Sequence, residues 1–361
     1  MLKQESLKTN LMSNFKNHVI KTLSYLPFKY GFQPFYSGEG TILLMHKIVA
    51  KKADSRRIEL MEANEVDTIF LEKMIVHLKK TYDIISLDDV HKRLEYSKKN
   101  KRKFIAITFD DGYKDNLNLA YPIFKKHNVP FTIYVTNSFP NLTAKLWWYM
   151  LEDIVLENPE IIFLYKEKKY RFKAVSKTEK NKSFIAIREL LIDASKNELS
   201  HILKQLEYTY NKNLANYIKA EALNWGEITK LAKDKLVTIG CHTVNHLSLK
   251  TLSEKEITEE VIKSKDELEQ KTEIEINHFA YPYGTFNEIG EREINILDRI
   301  NVFKTSTTTR TGNIFPQHTN FKNSLPRIQV LGTQQDILIL NMYLSGFLPA
   351  LKNKFKRLVT V

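Results

Sequence analysis

Two short stretches carry residue types that can do chemistry. Asp110-Asp111-Gly112-Tyr113 closes the apolar run Phe104-Ile-Ala-Ile-Thr-Phe109, and His242 and His246 follow the apolar run 236–239. In barrels and open α/β sheets, side chains at the carboxyl end of a strand point into the crevice where ligands bind. Neighbouring carboxylates at such a point repel each other, so a cation, an arginine or a shared proton must compensate. Taken alone, Asp-Asp-Gly is equally what an ordinary turn after a strand requires. The histidines shift the balance, because two imidazoles four residues apart plus one acid make a divalent-metal site of the two-histidine, one-carboxylate type. Cys241 lies on the opposite side of its strand from His242, so it reads as a packing residue in preference to a soft ligand.

These clusters need strands to carry them and helices to bury the strands. Thr41-Ile-Leu-Leu-Met45 runs into His46, and a histidine in that position is by itself more often structural than catalytic. Apolar residues recur at helical period over 67–81. A short strand and a capped helix start follow at Asp83-Ile-Ile-Ser-Leu-Asp-Asp-Val90. After Tyr113 come a helix over 116–127 and a strand at Val129-Pro-Phe-Thr-Ile-Tyr-Val135. The alternation resumes with a helix from Trp225, the strand before His242, and a long helix from Ser253 opened by a capping box with Glu256. His278-Phe-Ala-Tyr-Pro-Tyr-Gly284, a helix over 287–299, and strands at 302–306 and 325–330 complete it. Strand-helix alternation of this kind predicts a parallel α/β barrel.

Between about 140 and 224 the character changes to long helical runs with Trp147-Trp148-Tyr149 and the basic segment Lys166-Glu-Lys-Lys-Tyr-Arg. We read 1–40 as a helical extension and 41–335 as the barrel, interrupted by the largely helical insertion 140–224. Residues 336–361 form a basic tail. The insertion suits a lid or a substrate-gripping module. Its tryptophans either stack on sugar faces or pack a core, the commoner use of such rings.

Composition narrows the class. The 361 residues are 43% hydrophobic, enough for a sizeable core and against disorder. Lys and Arg number 55 against 42 Asp and Glu, a formal charge of +13 that favours acidic partners. The basic residues are scattered and form no nucleic-acid motif, so nucleic acid is not expected as a partner. One cysteine excludes an internal disulfide framework. No run has the ~18–20 apolar residues of a membrane span, and no signal peptide is evident, so a cytoplasmic location is expected. Residues 11–28 form an amphipathic pattern, and the tail joins an apolar segment to Lys352, Lys354, Lys356 and Arg357. Either end suits packing on the barrel or peripheral contact with the anionic inner face of a membrane.

With Thr108-Phe-Asp-Asp-Gly112, His242-Thr-Val-Asn-His246 and Phe279-Ala-Tyr-Pro-Tyr-Gly284 in that order, the chain resembles the NodB-homology polysaccharide deacetylases, carbohydrate esterase family 4. The first motif matches throughout. The second matches the family's His-Ser/Thr-x-x-His core, with Leu247 where a proline usually follows. The resemblance covers roughly 41–139 and 225–330 and implies a distorted (β/α)7 barrel. It further implies that Asp111, His242 and His246 bind a divalent metal, usually zinc, and that Asp110 is the general base. Where the family often has an arginine holding the base carboxylate, this chain has Ala280, and Arg327 is the candidate substitute. The family's late Leu-x-His motif is not evident. A subgroup of exopolysaccharide deacetylases places its general-acid histidine before the acid pair in a segment like Met-Tyr-His, and Leu44-Met45-His46 looks like that version. His46 is then the general acid. Tyr113, Tyr281, Pro282 and Tyr283 are expected to border the substrate.

The implied activity is hydrolysis of an N-acetyl group on an acetamido sugar, in a surface polysaccharide or its lipid- or nucleotide-linked precursor. The chemistry needs a nucleophile, a place for negative charge on the carbonyl oxygen, helped by a backbone N–H near Tyr113, and a proton for the leaving amine. Two other readings stay open: a non-sugar amide hydrolase on the same barrel, and an inactive sugar-binding protein, which Ala280 and Leu247 keep in view.

Overall fold

The computed structural model describes residues 28–50, 57–95 and 102–360, together with Ile20, Thr22, Leu23 and Tyr25. The amphipathic pattern at 11–28 lies almost wholly outside the described residues. Seven parallel strands form the centre: β1 (Gly40–Met45), β2 (Phe104–Phe109), β3 (Phe131–Val135), β4 (Val237–Cys241), β5 (His278–Ala280), β6 (Thr305–Thr311) and β7 (Leu325–Gln329). Each pairs with its neighbours in chain order, and β1 pairs with both β2 and β7, which closes the barrel. The two-residue strand Asp83–Ile84 occupies the start of the β2 edge, and β3 comes alongside only at Thr108 and Phe109. The barrel is distorted elsewhere too. β4 and β5 share the single register pair Cys241 and Phe279, and the β6–β7 register shifts between Thr307 and Thr311.

Alternation along each strand sorts the side chains into two layers. Ile105, Ile107 and Phe109 face outward, as do Ile133, Cys241, Phe279 and Ile328, and together with the surrounding helices they form the largest apolar cluster. Phe109 packs edge-on against Phe124 and Phe131 at ring distances of 5.9 Å. The inward set, Ile42, Phe104, Ala106, Tyr134, Ala280 and Leu325, is sealed at the floor by Leu87, Val90 and Leu94 of the helix Leu87–Glu95. Gly240 is required there, because a Cβ on it would lie 2.5 Å from the Tyr134 ring.

β6 differs from the strand read at 302–306. It starts at Thr305 and is almost all hydroxyl, Thr-Ser-Thr-Thr-Thr-Arg-Thr, yet largely buried. Its hydroxyls are satisfied by neighbouring strands, Thr307 Oγ1 donating to the Phe279 carbonyl and Thr308 Oγ1 to that of Leu325. The helix read over 116–127 opens as a π-turn, Asn116–Ala120, before Tyr121–His127, and the one read from 287 begins at Glu291.

Between β3 and β4 the chain builds the helix Trp147–Glu157, a hairpin of Glu160–Tyr165 and Lys168–Lys173, and the helices Lys177–Asp193, Lys196–Thr209 and Ala215–Glu221. Capping boxes at Ser176 and Ser195 start two of these helices. The segment has its own apolar core, including Phe163, Phe184, Leu191 and Leu206, into which Tyr113 from the barrel mouth also packs. At the other end, the helix Phe28–Tyr36 packs on Phe347–Lys352, with Phe32 edge-on to Phe347 at 4.9 Å. No helix among the described residues is long and apolar enough to cross a membrane.

Candidate active site

The carboxyl ends of β1, β2, β4 and β7 converge on a cleft of about 360 Å³. Inward alternation continues past the end of β2, placing Asp110 in the barrel mouth. Asp111 follows at φ 78°, a left-handed conformation that turns its carboxylate toward the histidines. Thr243 (φ 66°), His246 (φ 54°) and Tyr283 (φ 61°) are also left-handed. Such a conformation is costly for a β-branched residue such as Thr243 and is found where surrounding contacts hold it for function.

Asp111 Oδ1 lies 3.4 Å from His242 Nε2 and 3.2 Å from His246 Nε2, and it is buried without a hydrogen bond of its own. One ligand atom from each of the three residues falls within 4.8 Å of the others. His242 Nδ1 donates to the Ala280 carbonyl at 2.7 Å, which leaves Nε2 as the nitrogen with a free lone pair. A buried, unsatisfied carboxylate oxygen facing two imidazole nitrogens is the donor set that suits a divalent ion such as zinc. The residues therefore fit the metal that the motif implies.

Asp110 is held apart from this triad. Its two oxygens take a bidentate grip from Arg327, Nη1 to Oδ1 at 2.6 Å and Nη2 to Oδ2 at 2.7 Å, with both side chains essentially inaccessible to solvent. Arg327 also donates to Thr108 Oγ1 and to the Thr308 carbonyl, so its plane is fixed on three sides. Burial disfavours the Asp110 carboxylate, but Arg327 and then His242 outweigh it and hold the group below the usual carboxylate range. The arginine thus reaches the acid from β7, where the family often supplies it from the position of Ala280.

His46 lines the same cleft, its Nδ1 buried without a partner. Burial, partly offset by Asp111 and Asp110, lowers its pKa below the ordinary histidine value. Its backbone is clamped by the loop after the acid pair. Asn116 Nδ2 donates to the His46 carbonyl at 3.0 Å, and Asp115 Oδ1 accepts the Ile48 N–H at 2.9 Å. Burial drives the Asp115 carboxyl up to about 7 despite nearby Lys47, which itself pairs with Glu221 and lies over the Tyr113 and Tyr149 rings.

Of the four residues expected to border the substrate, Tyr113 and Tyr283 line the cleft. Tyr281 does not: strand alternation carries it outward, where it stacks edge-on with Phe279 and donates to the Asn323 carbonyl at 2.8 Å. Pro282 is likewise absent from the lining; the chain turns back only at Tyr283 and Gly284.

Two features were not read from the sequence, and a third decides between the two readings of the tryptophans. Glu260, on the helix Glu254–Thr272, accepts the backbone N–H groups of Val244 and Asn245 and the Asn245 amide, fixing the loop that carries both histidines. Nothing in Glu259-Glu260 marks one glutamate as buried; only its place three residues after Ile257 hints at an inward face. Phe184 and Arg188, on Lys177–Asp193, form part of the cleft wall with no motif to announce them. Trp148 reaches 5.7 Å from the His246 ring, whereas Trp147 is buried in the insertion core.

Comparison with known proteins agrees with this arrangement. A family model described as polysaccharide deacetylase matches residues 97–162 and 196–297, which contain the acid pair and both histidines. The Bacillus subtilis protein YxkH, named for the same family, is 39% identical over 54 residues, 15% of this chain, and the match spans only 19% of that protein. Among solved structures, the Streptococcus pyogenes deacetylase PplD, in complex with acetate, has a TM-score of 0.55 at 20% identity, covering 84% of this chain and 97% of that one. IcaB from Ammonifex degensii has a TM-score of 0.53 at 14% identity, covering 85% and 98%. At these identities the structures share the fold, a barrel of the (β/α)7 type. The family match and the motifs it contains carry the assignment: this chain belongs to the polysaccharide deacetylase family.

Proposed function

We propose that this protein is a metal-dependent N-deacetylase that hydrolyses the acetamide of a sugar in a surface polysaccharide or its lipid- or nucleotide-linked precursor. The observation that carries the reading is the separation of roles between adjacent acids: Asp111 faces two imidazoles, while Asp110 is gripped by Arg327.

Asp111, His242 and His246 would hold the ion, which when bound polarises the acetyl carbonyl and acidifies a water. Asp110, kept ionised and oriented by Arg327, accepts the proton of the attacking water. Water adds its oxygen to the acetyl carbon, the C–N bond breaks, and acetate and a sugar amine leave. His46 delivers the proton that the departing nitrogen needs; its lowered pKa makes it a strong acid whenever it carries the second proton. A backbone N–H near Tyr113 would donate to the carbonyl oxygen and stabilise the negative charge that develops there. The aromatic wall of Tyr113, Trp148, Tyr149 and Tyr283 suits a sugar, which offers apolar ring faces and polar edges.

Acetate release from a panel of N-acetylated and O-acetylated sugars, with zinc-loaded and chelator-treated protein, tests this. The expected result is acetate from N-acetylated substrates, lost with the metal. Release from O-acetyl esters alone, or turnover indifferent to chelation, contradicts it.

A further inference from the structure

The cleft contains one charged side chain that the hydrolysis leaves without a task. Arg188 projects from the helix Lys177–Asp193, its guanidinium carbon 5.7 Å from the centre of the Tyr283 ring, and that ring lies 4.8 Å from His246. The other charged groups lining the cleft are matched within the protein. Arg327 pairs with Asp110, Glu221 with Lys47 and Arg57 with Glu65, while Asp111 faces the two histidines. Among the described residues Arg188 forms no ion pair and no hydrogen bond; its guanidinium lies over the face of Tyr283. A guanidinium laid on a ring keeps its in-plane N–H donors free, and these match the two oxygens of a carboxylate or phosphate.

Two further facts point toward a ligand. Arg188 is separated from His246 by the Tyr283 ring alone, so it borders the triad without belonging to it. It also falls in the stretch between 162 and 196 that the family model does not match, so it belongs to this chain's own elaboration of the barrel. Specificity is commonly carried by such additions to a rigid scaffold.

We propose that Arg188 forms an anion-binding subsite for a carboxylate or phosphate on the sugar next to the one deacetylated, an assignment that rests on the deacetylase reading above. The test compares kcat/KM for acetate release from three oligosaccharides of equal length: a neutral N-acetylglucosamine oligomer, one with a uronate beside the reactive sugar, and one with a phosphate on that neighbour. The wild-type protein should prefer an anionic substrate, and the preferred one identifies the anion. In Arg188→Gln the anionic-to-neutral ratio should fall by ~10-fold or more, mostly through KM, as loss of a charged hydrogen-bonding partner does. Arg188→Lys should recover part of the ratio, keeping the charge but losing the fork. Because the ratio is taken within each variant, a partial folding defect cancels. A ratio unmoved in Arg188→Gln, or a wild-type preference for the neutral oligomer, overturns the subsite and leaves the deacetylase reading standing. No acetate from any of the three with metal-loaded wild-type protein overturns both.

Discussion

The two ends of the barrel both bury histidines, and they treat them differently. At the floor, His318 accepts the Phe315 N–H at Nδ1, 2.9 Å away, and faces the Val359 carbonyl with Nε2 at 3.4 Å. A neutral imidazole in one tautomer satisfies both contacts. At the mouth, His46 Nδ1 and His246 Nδ1 are buried without partners, and the Nε2 atoms of His242 and His246 converge on an unsatisfied carboxylate oxygen. Asp111, Thr243, His246 and Tyr283 are moreover all left-handed around the cleft. Buried polar groups are ordinarily satisfied. His318 at the floor obeys that rule, whereas the mouth gathers several unsatisfied donor atoms around one cleft.

The largest expected effect separates roles within the mouth. Asp110→Asn should keep the metal and lose ~10²-fold or more in kcat, the scale of general-base catalysis. His242→Ala should lose the metal itself. Metal content measured alongside kcat decides, and equal metal loss in both variants would erase the distinction between the two acids. Next comes the clamp. Arg327→Ala strands a buried carboxylate, so it should lower stability by about 3–5 kcal/mol and kcat by ~10²-fold. Chemical denaturation and kinetics on the folded fraction measure each part; unchanged kcat would send the base-orienting role elsewhere.

The floor supplies the smaller contrast. Burial brings the His318 pKa down to about 4, with its backbone hydrogen bonds pulling weakly upward. Because the folded value lies below the unfolded value of about 6.5, the unfolded chain binds the proton more readily. This contribution to stability is complete above about pH 6.5 and is lost as pH falls toward 4, amounting to about 3 kcal/mol across the window. His318→Gln should lose that part of the pH dependence in denaturant titrations while kcat at neutral pH is retained. An unaltered pH dependence would show that the floor histidine is not neutral by burial.

What the sequence reveals follows the same division. The acid pair and the histidines stand out because largely apolar runs end abruptly in them, and Arg327 stands out as a charge inside Leu-Pro-Arg-Ile. β6 is less visible, since its buried residues are mostly threonines and serine whose hydroxyls are satisfied by partners distant in sequence. Tyr281 and Tyr283 look alike in Tyr-Pro-Tyr-Gly; the left-handed turn at Tyr283 sends one into the core and the other into the cleft. Glu260 and Arg188 read as ordinary solvated helix charges. Only the packing of their helices against the mouth gives one a loop to hold and the other a cleft to face.

The account depends most on the ion. Elemental analysis of the purified protein, with anomalous diffraction at the metal edge, tests it directly. The predicted result is one divalent ion per chain about 2.0–2.2 Å from Asp111, His242 Nε2 and His246 Nε2, with Asp110 still on Arg327. Protein that stays metal-free in excess zinc, or an ion bound through Asp110 in place of Asp111, would contradict it.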